Sequence, residues 1–479
     1  MRLGARLGLP LVVVAALVAC ADLFDEASQC SSDADCARFS GAVCDVASRI
    51  CVLGGVDAES EDAGSVPIDA EAAETAPNDR CNVSPKPTST IGEGVDGGAD
   101  GGARAEITAN VTLGCDKDWT LDALLFVRSG ATLTIEAGTT IRAKKGVGAG
   151  IVVSPGGRIV AEGAREAPIV ITSDAPEPAA GDWRGVFLLG LAPPSGEGNY
   201  QNDPDLAWGG ANPEDDSGVL SFVRIEYAEG GLAVAGAGRK TKIDYVQVRR
   251  TVQNCFMFQG GTVDVKHLVC QSPGDDQFEW YLGYEGRAQF LFGQKTAAPP
   301  VFGAHGLLVD DAKPVIYNAT FCGDAVTPNG YGLLLRDDGT LDLNGAIVTG
   351  WFAGLDVTGS VPAPGNIRGS ILSGNGTDPA YAESAAEMNT SSPAFDDDNG
   401  FDERAWFEAP LRGNAVVDPK LVDCFDAKSP KPWPQTPLAT KPPAPPNDGF
   451  FDPDATYAGA FSGASDAWMT GAWVRFDDR

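Results

Sequence analysis

The chain has 479 residues, which suffices for two or three ordinary domains or for one long repeat domain. With 66 Asp and Glu against 35 Lys and Arg, its formal net charge is −31, so it repels phosphate backbones and nucleic acid is not expected as a partner. The sequence contains only two histidines and no C-x-x-C spacing, which argues against a zinc site.

Residues 1–19 have the composition of an export signal. Arg2 and Arg6 give a positive end, residues 7–18 form an uncharged apolar run, and small residues lead up to Cys20. The run is shorter than the roughly 20 residues that a membrane-spanning helix needs. We therefore predict a removable signal peptide.

The ending of this segment, residues 17–20, resembles a bacterial lipobox. The resemblance implies a lipid on the Cys20 sulfur, cleavage before Cys20 and attachment to a membrane through the lipid. Ala21 is not the Asp that retains enteric lipoproteins, which favours an outer-membrane lipoprotein facing the periplasm or the cell surface. The alternative is an ordinary signal peptide that is cut elsewhere.

The other ten cysteines, an even number, fit disulfides formed in an oxidising compartment. Residues 20–51 form a lipidated N-terminus and a small Cys-rich module that resembles modules of myxobacterial surface lipoproteins. Its four cysteines allow three pairings, of which we favour the interleaved one, Cys30 with Cys44 and Cys36 with Cys51. The remaining candidates are Cys81, Cys115, Cys255, Cys270, Cys322 and Cys424, and we predict that Cys322 pairs with Cys424.

Residues 52–104 are acidic and rich in Gly. Between 52 and 80 there are eight acids, one base and no aromatic residue, so little apolar surface is available to offset the entropy of ordering. We predict a disordered tether between the Cys-rich module and the rest of the chain.

Residues 105–360 contain short runs of Val, Ile, Leu and Thr separated by Gly, Asp and Asn, and the runs recur. Residues 220–225 match 243–248, 23 positions later, and 263–268 follow after a further 20. This spacing without helices predicts an all-β, right-handed parallel β-helix (a solenoid) of roughly eight to ten coils, with a pair of β-sandwiches as the alternative.

Several segments resemble a large bacterial family of exported β-helix proteins, which are mostly uncharacterised. The matching segments are residues 119–127, 133–141, 156–163, 167–173, 181–185, 243–248, 274–280 and 457–461. The resemblance implies a pectin-lyase-like fold and export, but no particular reaction. We expect residues 361–479 to be a C-terminal extension that packs on the solenoid, Pro-rich at 429–449.

One group of carboxylates is a candidate catalytic site. Lyases on β-helices use carboxylates that bind Ca²⁺ and a basic residue that removes a proton. The candidates are Asp275, Asp276 and Glu279, with Arg249 on the preceding coil as the base. The alternative is a coil turn in which the Asp side chains cap backbone amides. Trp280 and Tyr284 are candidate faces for stacking on a sugar.

A second oxygen-rich group, which includes Asp396, Asp398 and Asp402, is a weak candidate for Ca²⁺ and lacks the order of an EF-hand, so a solvated loop is the alternative. The leading hypothesis is a lipid-anchored, non-catalytic envelope protein that binds carbohydrate or a partner protein. The rival is a Ca²⁺-dependent polysaccharide lyase or a glycoside hydrolase on a β-helix, and a third option is a purely structural envelope component.

Overall fold

The computed structural model describes residues 42–45, 50–53, 79–82, 84–91, 103–196, 198–199, 203–296, 304–324, 330–336, 339–359, 364–375 and 401–476. Residues 1–73 and 74–479 form two compact units. In the first, β1 (Ala42–Asp45) and β2 (Ile50–Leu53) form an antiparallel hairpin with Cys44 opposite Cys51. The predicted signal peptide, Cys20, the side chains of the predicted four-Cys module and most of the predicted tether lie outside the described residues.

The second unit is a parallel β-solenoid, as predicted, and its first sheet has ten strands. Successive members of this sheet lie one coil apart in sequence and pair in parallel. They are β4 (Arg104–Ile107), β7 (Leu124–Val127), β10 (Gly150–Val153), β13 (Val186–Leu189), β15 (Leu232–Ala235), β17 (Phe256–Gln259), β19 (Phe278–Tyr281), β21 (Leu307–Asp310), β23 (Tyr331–Arg336) and β25 (Ala353–Val357).

The second sheet has 16 strands and supplies the other sides of each coil. Its strands are β3 (Thr88–Thr90), β5 (Val111–Leu113), β6 (Asp118–Leu121), β8 (Thr132–Ile135), β9 (Thr140–Ala143), β11 (Arg158–Glu162), β12 (Ile169–Ser173), β14 (Gly218–Glu226), β16 (Lys242–Arg249), β18 (Asp264–Gln271), β20 (Arg287–Gln294), β22 (Val315–Cys322), β24 (Leu341–Thr349), β26 (Gly365–Arg368), β27 (Ile371–Ser373) and β28 (Ala415–Val416).

Outside these sheets, β29 (Leu421–Asp423) pairs antiparallel with β30 (Lys431–Pro434). The one α-helix of the described residues is α1 (Glu403–Phe407), and short 3-10 turns occupy Asp79–Asn82, Pro204–Leu206 and Pro410–Arg412. Within the described part of the chain, no helix has the length and apolar character needed to cross a bilayer.

The long strands of the second sheet bend midway, so each coil has three β faces. The bend falls on a residue with positive φ, such as Phe222 at 50°, Tyr245 at 53° and His267 at 46°. A left-handed conformation costs a bulky residue of the order of 1–3 kcal/mol. Stacking along the bend offsets that cost, since the Phe222 and Tyr245 rings lie 4.5 Å apart and the Tyr245 and His267 rings 4.2 Å apart.

The interior of the solenoid is apolar, because alternate residues of every strand point inward and stack from coil to coil. The Cys255–Cys270 disulfide lies in this core, and Cys81–Cys115 joins the first coils. The predicted Cys322–Cys424 disulfide is confirmed, and it attaches the C-terminal segment to β22.

Residues 401–476 run back along the outside of the bent sheet. Side-chain amides of the sheet hold the backbone of this segment: Gln247 bonds Arg475, Gln289 bonds Asp452, and Asn318 donates to the carbonyls of Ala455 and Tyr457. A side-chain amide can both donate to and accept from a peptide group, so these residues suit a sheet face that is covered by the C-terminal segment.

Candidate functional site

The three predicted carboxylates lie together at the start of β19, on its outer side. Asp275 and Asp276 occupy the turn that leads into the strand, and Glu279 is its second residue. Strand alternation turns Phe278 and Trp280 into the core and Glu279 outward. We call these three side chains the acid cluster.

Asn254, one coil earlier, ties the acid cluster together. Its side-chain oxygen Oδ1 accepts a hydrogen bond from the backbone N–H of Asp276 at 3.2 Å, and its side-chain nitrogen Nδ2 donates to Oε2 of Glu279. One coil later, the backbone N–H of His305 donates to Oδ1 of Asp276 at 2.7 Å. The turn is therefore fixed between two neighbouring coils.

Three basic side chains from later coils face the cluster. Lys295 follows β20, and its ammonium lies 5.7 Å from the centre of the Trp351 ring. Arg336, at the end of β23, donates to Asp310 at 2.8 Å. The Nδ1 atom of His305 accepts from the backbone N–H of Tyr331 at 3.0 Å, which leaves the imidazole proton on Nε2.

Burial and mutual repulsion keep the acids protonated to unusually high pH. Burial raises the pKa of Glu279 to about 7, and the charge of Asp275 adds to the effect. Burial, followed by the charges of Asp275 and Glu279, raises the pKa of Asp276 well above its ordinary value. Burial also raises the pKa of Asp275, which Lys295 opposes.

The basic groups shift in the opposite direction. Burial lowers the pKa of Lys295 to about 8, although Asp276, Asp324 and Asp275 favour its charged form. Burial lowers the pKa of His305 to about 3, with further lowering by Lys295 and Arg336, so the imidazole is neutral at ordinary pH. At neutral pH the site therefore holds a carboxyl and an amine that both exchange protons readily, which is the requirement for general acid–base chemistry.

A family model described as "Pectate-lyase like beta helix domain" matches residues 105–393. The chain belongs to this family. Among solved structures, this β-helix protein is similar to the enzymatically active domain of tailspike protein 2 of bacteriophage CBA120, at 14% identity and a TM-score of 0.30, covering 62% of this chain and 41% of that one. It is also similar to an alginate lyase from Paenibacillus sp. str. FPU-7, at 14% identity and a TM-score of 0.17, covering 46% of this chain and 89% of the lyase. No curated protein sequence matches the chain.

Two expectations about the surroundings of the acid cluster need correction. Arg249 ends β16 on another face, where it is buried and lies 3.5 Å from Glu226, so it does not join the acids. The arginine that acts on Glu279 and Asp276 is Arg336, two coils further along. Sequence reasoning selected Arg249 because it lies on the preceding coil, but the sequence did not indicate on which face of that coil it lies.

The two expected sugar-stacking residues of the β-helix are also misassigned. Trp280 and Tyr284 are fully buried and pack against Phe258 inside the solenoid, and the Tyr284 hydroxyl donates to the carbonyl of Val263. A ring that faces the core offers no surface to a sugar. The alternation of β19 explains the error, because residues 278 and 280 share the inward side.

Calcium ligation receives no support within the described ranges, where no group of three or more His, Cys, Asp or Glu side chains has an arrangement that could hold a metal ion. Asp402 caps helix α1, since its Oδ1 accepts from the backbone N–H of Ala405 at 2.8 Å, and its role as a calcium ligand stays a prediction. Asp396 and Asp398 lie outside the described residues.

Proposed function

We propose that this pectate-lyase-like β-helix protein acts on a polysaccharide at the acid cluster, where it cleaves glycosidic bonds by acid–base catalysis. The observation that carries the proposal is Glu279: part of its side chain reaches solvent, its pKa is raised to about 7, and a second partly exposed carboxylate, Asp275, lies close enough to repel it. Two carboxyl groups in different protonation states are what glycoside hydrolysis requires.

Protonated Glu279 serves as the general acid. It gives its proton to the glycosidic oxygen as the bond from that oxygen to the anomeric carbon breaks. Ionised Asp275 takes a proton from the water that adds to the anomeric carbon. The products are two shorter glycans that together contain the added water, and the proton on Asp275 returns to Glu279 through solvent.

The surrounding polar groups are positioning residues. Asn254 holds the Glu279 carboxyl through its amide, and Asp276 fixes the turn through the backbone of His305. Burial raises the pKa of Asp275 as well, and the charge of Lys295 opposes that rise, so we assign to Lys295 the role of favouring ionised Asp275 while Glu279 stays protonated. The proposed difference in protonation between Asp275 and Glu279 therefore depends on the charge of Lys295 and on the hydrogen bond from Asn254 to Glu279.

The proposed location is the cell envelope, with the membrane reached through a lipid on Cys20. Its support is the sequence of residues 1–20 and the disulfides of the second unit, which suit an oxidising compartment. The test is expression of the whole chain and of Cys20→Ser in a bacterial host. The lipid-anchor proposal expects Cys20→Ser to leave the membrane fraction and lose labelling by radioactive palmitate; unchanged labelling would contradict it.

A second candidate, the non-catalytic binding of a polysaccharide or an envelope protein, is favoured by the burial of part of the site. Asp276 is 3%, His305 2% and Lys295 5% exposed, which suits a network that shapes a turn. In this case the site contributes shape alone, and removal of the Glu279 charge leaves binding intact.

One experiment separates the two candidates. The purified protein is incubated with polygalacturonate, alginate and a neutral glucan, and new reducing ends and unsaturated, ultraviolet-absorbing products are measured. Loss of a general acid lowers the rate by roughly 10²–10⁴-fold, which is the expectation for Glu279→Gln. The matched control is Glu285→Gln, at an exposed carboxylate that pairs with Lys313 at 3.0 Å.

Three outcomes are informative. New reducing ends that disappear in Glu279→Gln and persist in Glu285→Gln support hydrolysis, whereas unsaturated products indicate a lyase in place of the proposed hydrolase. Retention of a polysaccharide without any cleavage by the wild-type protein favours the non-catalytic candidate. Cleavage that survives in Glu279→Gln refutes the acid assigned here.

A further inference from the structure

A cleft lies on the outer face of the second, bent sheet, whereas the acid cluster lies on the first sheet. Strands β9, β12 and β14 form its floor, and residues 175–178 and Arg475 of the C-terminal segment form its sides. Its volume of about 630 Å³ falls in the range of small-molecule sites. We call it the arginine cleft, because Arg142, Arg224 and Arg475 line it.

The register of the second sheet places one row of outward side chains across the floor of the cleft. The row crosses β9, β12, β14 and β16 and consists of Arg142, Thr172, Glu226 and Arg249. Gln271 and Gln294 continue it on the next two coils, where their amides donate to carbonyls of the C-terminal segment. The row therefore changes from neutral amides to charged groups where it enters the cleft.

Glu226 is shared by two arginines of this row and its neighbour. It accepts from Nε of Arg224 at 2.8 Å and lies 3.5 Å from Nη1 of the fully buried Arg249. Burial lowers the pKa of Arg249, Glu226 opposes this effect, and the charges of Arg250 and Arg475 lower the pKa further. Arginines therefore outnumber carboxylates around Glu226, and the balance of charge there is positive.

The other acids near the cleft do not cancel this excess. Glu177 lies at the exposed rim, where solvent screens its charge. Asp182 has its own ion pair with Nζ of Lys145, at 2.8 Å. Arg142, by contrast, is exposed and makes no hydrogen bond or ion pair with any residue that the structure describes. In a chain of net charge −31, this cleft is a local positive site that attracts an anion.

A buried hydroxyl adds a second kind of donor to the arginine cleft. Tyr227 lines the cleft and is 3% exposed, and its hydroxyl has no hydrogen-bond partner among the described residues. Burial raises the pKa of this hydroxyl, so it keeps its proton at neutral pH. A buried donor without an acceptor is unfavourable, so the hydroxyl suits the oxygen of a bound ligand. Nη2 of Arg224 is a further donor, since Nε and Nη1 donate to Glu226 and to the carbonyl of Ala472.

The number of charges selects the class of anion. The three arginines that line the cleft and Arg249 beside them exceed its two glutamates by two positive charges. A carboxylate ligand neutralises only one of these, whereas a phosphate monoester carries about 1.5–2 negative charges at pH 7 and three acceptor oxygens. Guanidinium groups bind such a group through pairs of hydrogen bonds. A phosphate fills only part of the cleft, so the group to which it is esterified has room as well.

We propose that the arginine cleft binds a phosphate monoester, whose oxygens accept from Arg142, from Nη2 of Arg224 and from the hydroxyl of Tyr227. Two sources share this chemistry, a soluble sugar phosphate and a membrane phospholipid with a terminal phosphate. The inference goes beyond the proposed function, since the arginine cleft and the acid cluster lie on different sheets and share no residue. Failure of either proposal therefore leaves the other intact.

The test of binding is calorimetric titration of the purified full chain with Cys20→Ser, which cannot carry the predicted lipid. The probes are glucose 6-phosphate, inorganic phosphate and two singly charged controls, glucose 6-sulfate and glucuronate. We expect both phosphates to bind and both controls to bind about tenfold more weakly, because each control leaves one positive charge of the cleft without a partner. Binding of either control as tight as that of glucose 6-phosphate overturns the proposal.

Three substitutions test the donors. We expect Arg142→Gln and Tyr227→Phe each to weaken the binding of glucose 6-phosphate about tenfold, as loss of a hydrogen bond to a charged group does, and Arg142→Lys to retain part of the affinity. The matched control is Arg158→Gln, which removes a guanidinium that pairs with Asp216 at 2.9 Å outside the cleft. Circular dichroism checks that each variant folds. An unchanged affinity in both cleft variants refutes the site, as does an equal loss in Arg158→Gln.

Two acids that follow Phe476 in the sequence, Asp477 and Asp478, lie outside the described residues. Their charges have the same sign as the ligand, so we expect the double variant Asp477→Asn/Asp478→Asn to bind glucose 6-phosphate at least as tightly as the parent chain. Weaker binding by this variant would contradict the charge argument.

Vesicles distinguish the two sources of the phosphate. The Cys20→Ser chain is sedimented with phosphatidylcholine vesicles that contain phosphatidic acid, and with vesicles of phosphatidylcholine alone. Sedimentation that requires phosphatidic acid and is lost in Arg142→Gln assigns the cleft to a membrane phospholipid, whereas binding of glucose 6-phosphate without sedimentation assigns it to a soluble ester. If glucose 6-phosphate, inorganic phosphate and phosphatidic acid all fail to bind, the proposal is wrong.

Discussion

Replacing Glu279 by Gln is expected to stabilise the folded protein, and to do so increasingly as the pH rises. The pKa of this carboxyl is raised from its ordinary 4.5 to about 7, so the folded state disfavours the ionised form. Below pH 4.5 the carboxyl is protonated in both states and has no effect; above pH 7 it is ionised in both, and the folded state bears the whole penalty. At 1.36 kcal/mol per pH unit, that penalty is about 3 kcal/mol.

The assay is urea unfolding of wild type and Glu279→Gln across this interval. We expect the stabilisation to be below about 1 kcal/mol near pH 5 and about 3 kcal/mol near pH 8.5, because Gln retains an oxygen that accepts from Asn254. Relief of Asp276, whose pKa the Glu279 charge raises, acts in the same direction. The control Glu285→Gln should change stability by less than about 0.5 kcal/mol at either pH.

Two results would refute this reasoning. A stabilisation that is equal at both pH values would mean that Glu279 is not titrating between them. A destabilisation near pH 8.5 would mean that the ionised carboxylate is a favourable partner of Arg336 and that burial does not dominate its pKa.

Three further predictions concern the surroundings of the site. Replacing Cys322 and Cys424 together by Ser should lower the free energy of unfolding by about 2–4 kcal/mol in urea, since the disulfide closes a long loop; an unchanged value would show that the C-terminal segment packs equally well without it. Arg165→Ala, which removes hydrogen bonds of 2.9–3.1 Å to carbonyls in residues 467–470, should speed proteolysis of the C-terminal segment, and equal cleavage rates would contradict the anchoring role. The His305 ring should keep its neutral form from pH 8 down to about pH 4 in ¹⁵N NMR, because its pKa is lowered to about 3, whereas a midpoint near 6.5 would contradict the burial of this ring.

The solenoid could be predicted from sequence because its strands repeat with a nearly constant spacing. Residues 220–225 and 243–248 pair in the register that their 23-residue offset demands. The bend inside the long strands could not be predicted, since the structure places bulky residues with positive φ there, namely Phe222, Tyr245 and His267. Aromatic stacking between coils stabilises this conformation, and local propensity does not report contacts across 23 residues.

The acids of the candidate site could be predicted from the sequence, but their partners on neighbouring coils could not. The three acids are neighbours in sequence, so composition alone indicated them. Their partners Asn254 and His305 lie 22 and 29 residues from Asp276, about one coil in each direction. Arg249 was selected because it lies on the preceding coil, but its position at the end of β16 places it in a row with Glu226 and Gln271. In a solenoid, the offset in coils and the face within the coil decide which residues meet.

The residues that pack against the C-terminal segment differ in type from the residue at position 279. Where the C-terminal segment covers the bent sheet, the chain uses neutral amides such as Gln247, Gln289 and Gln294, which satisfy a buried backbone without any pH dependence. At position 279 an amide would satisfy Asn254 equally well, yet the chain has a carboxyl that costs about 3 kcal/mol at neutral pH. A penalty of that size, which a single substitution would remove, is what the proposed role of Glu279 in proton transfer predicts.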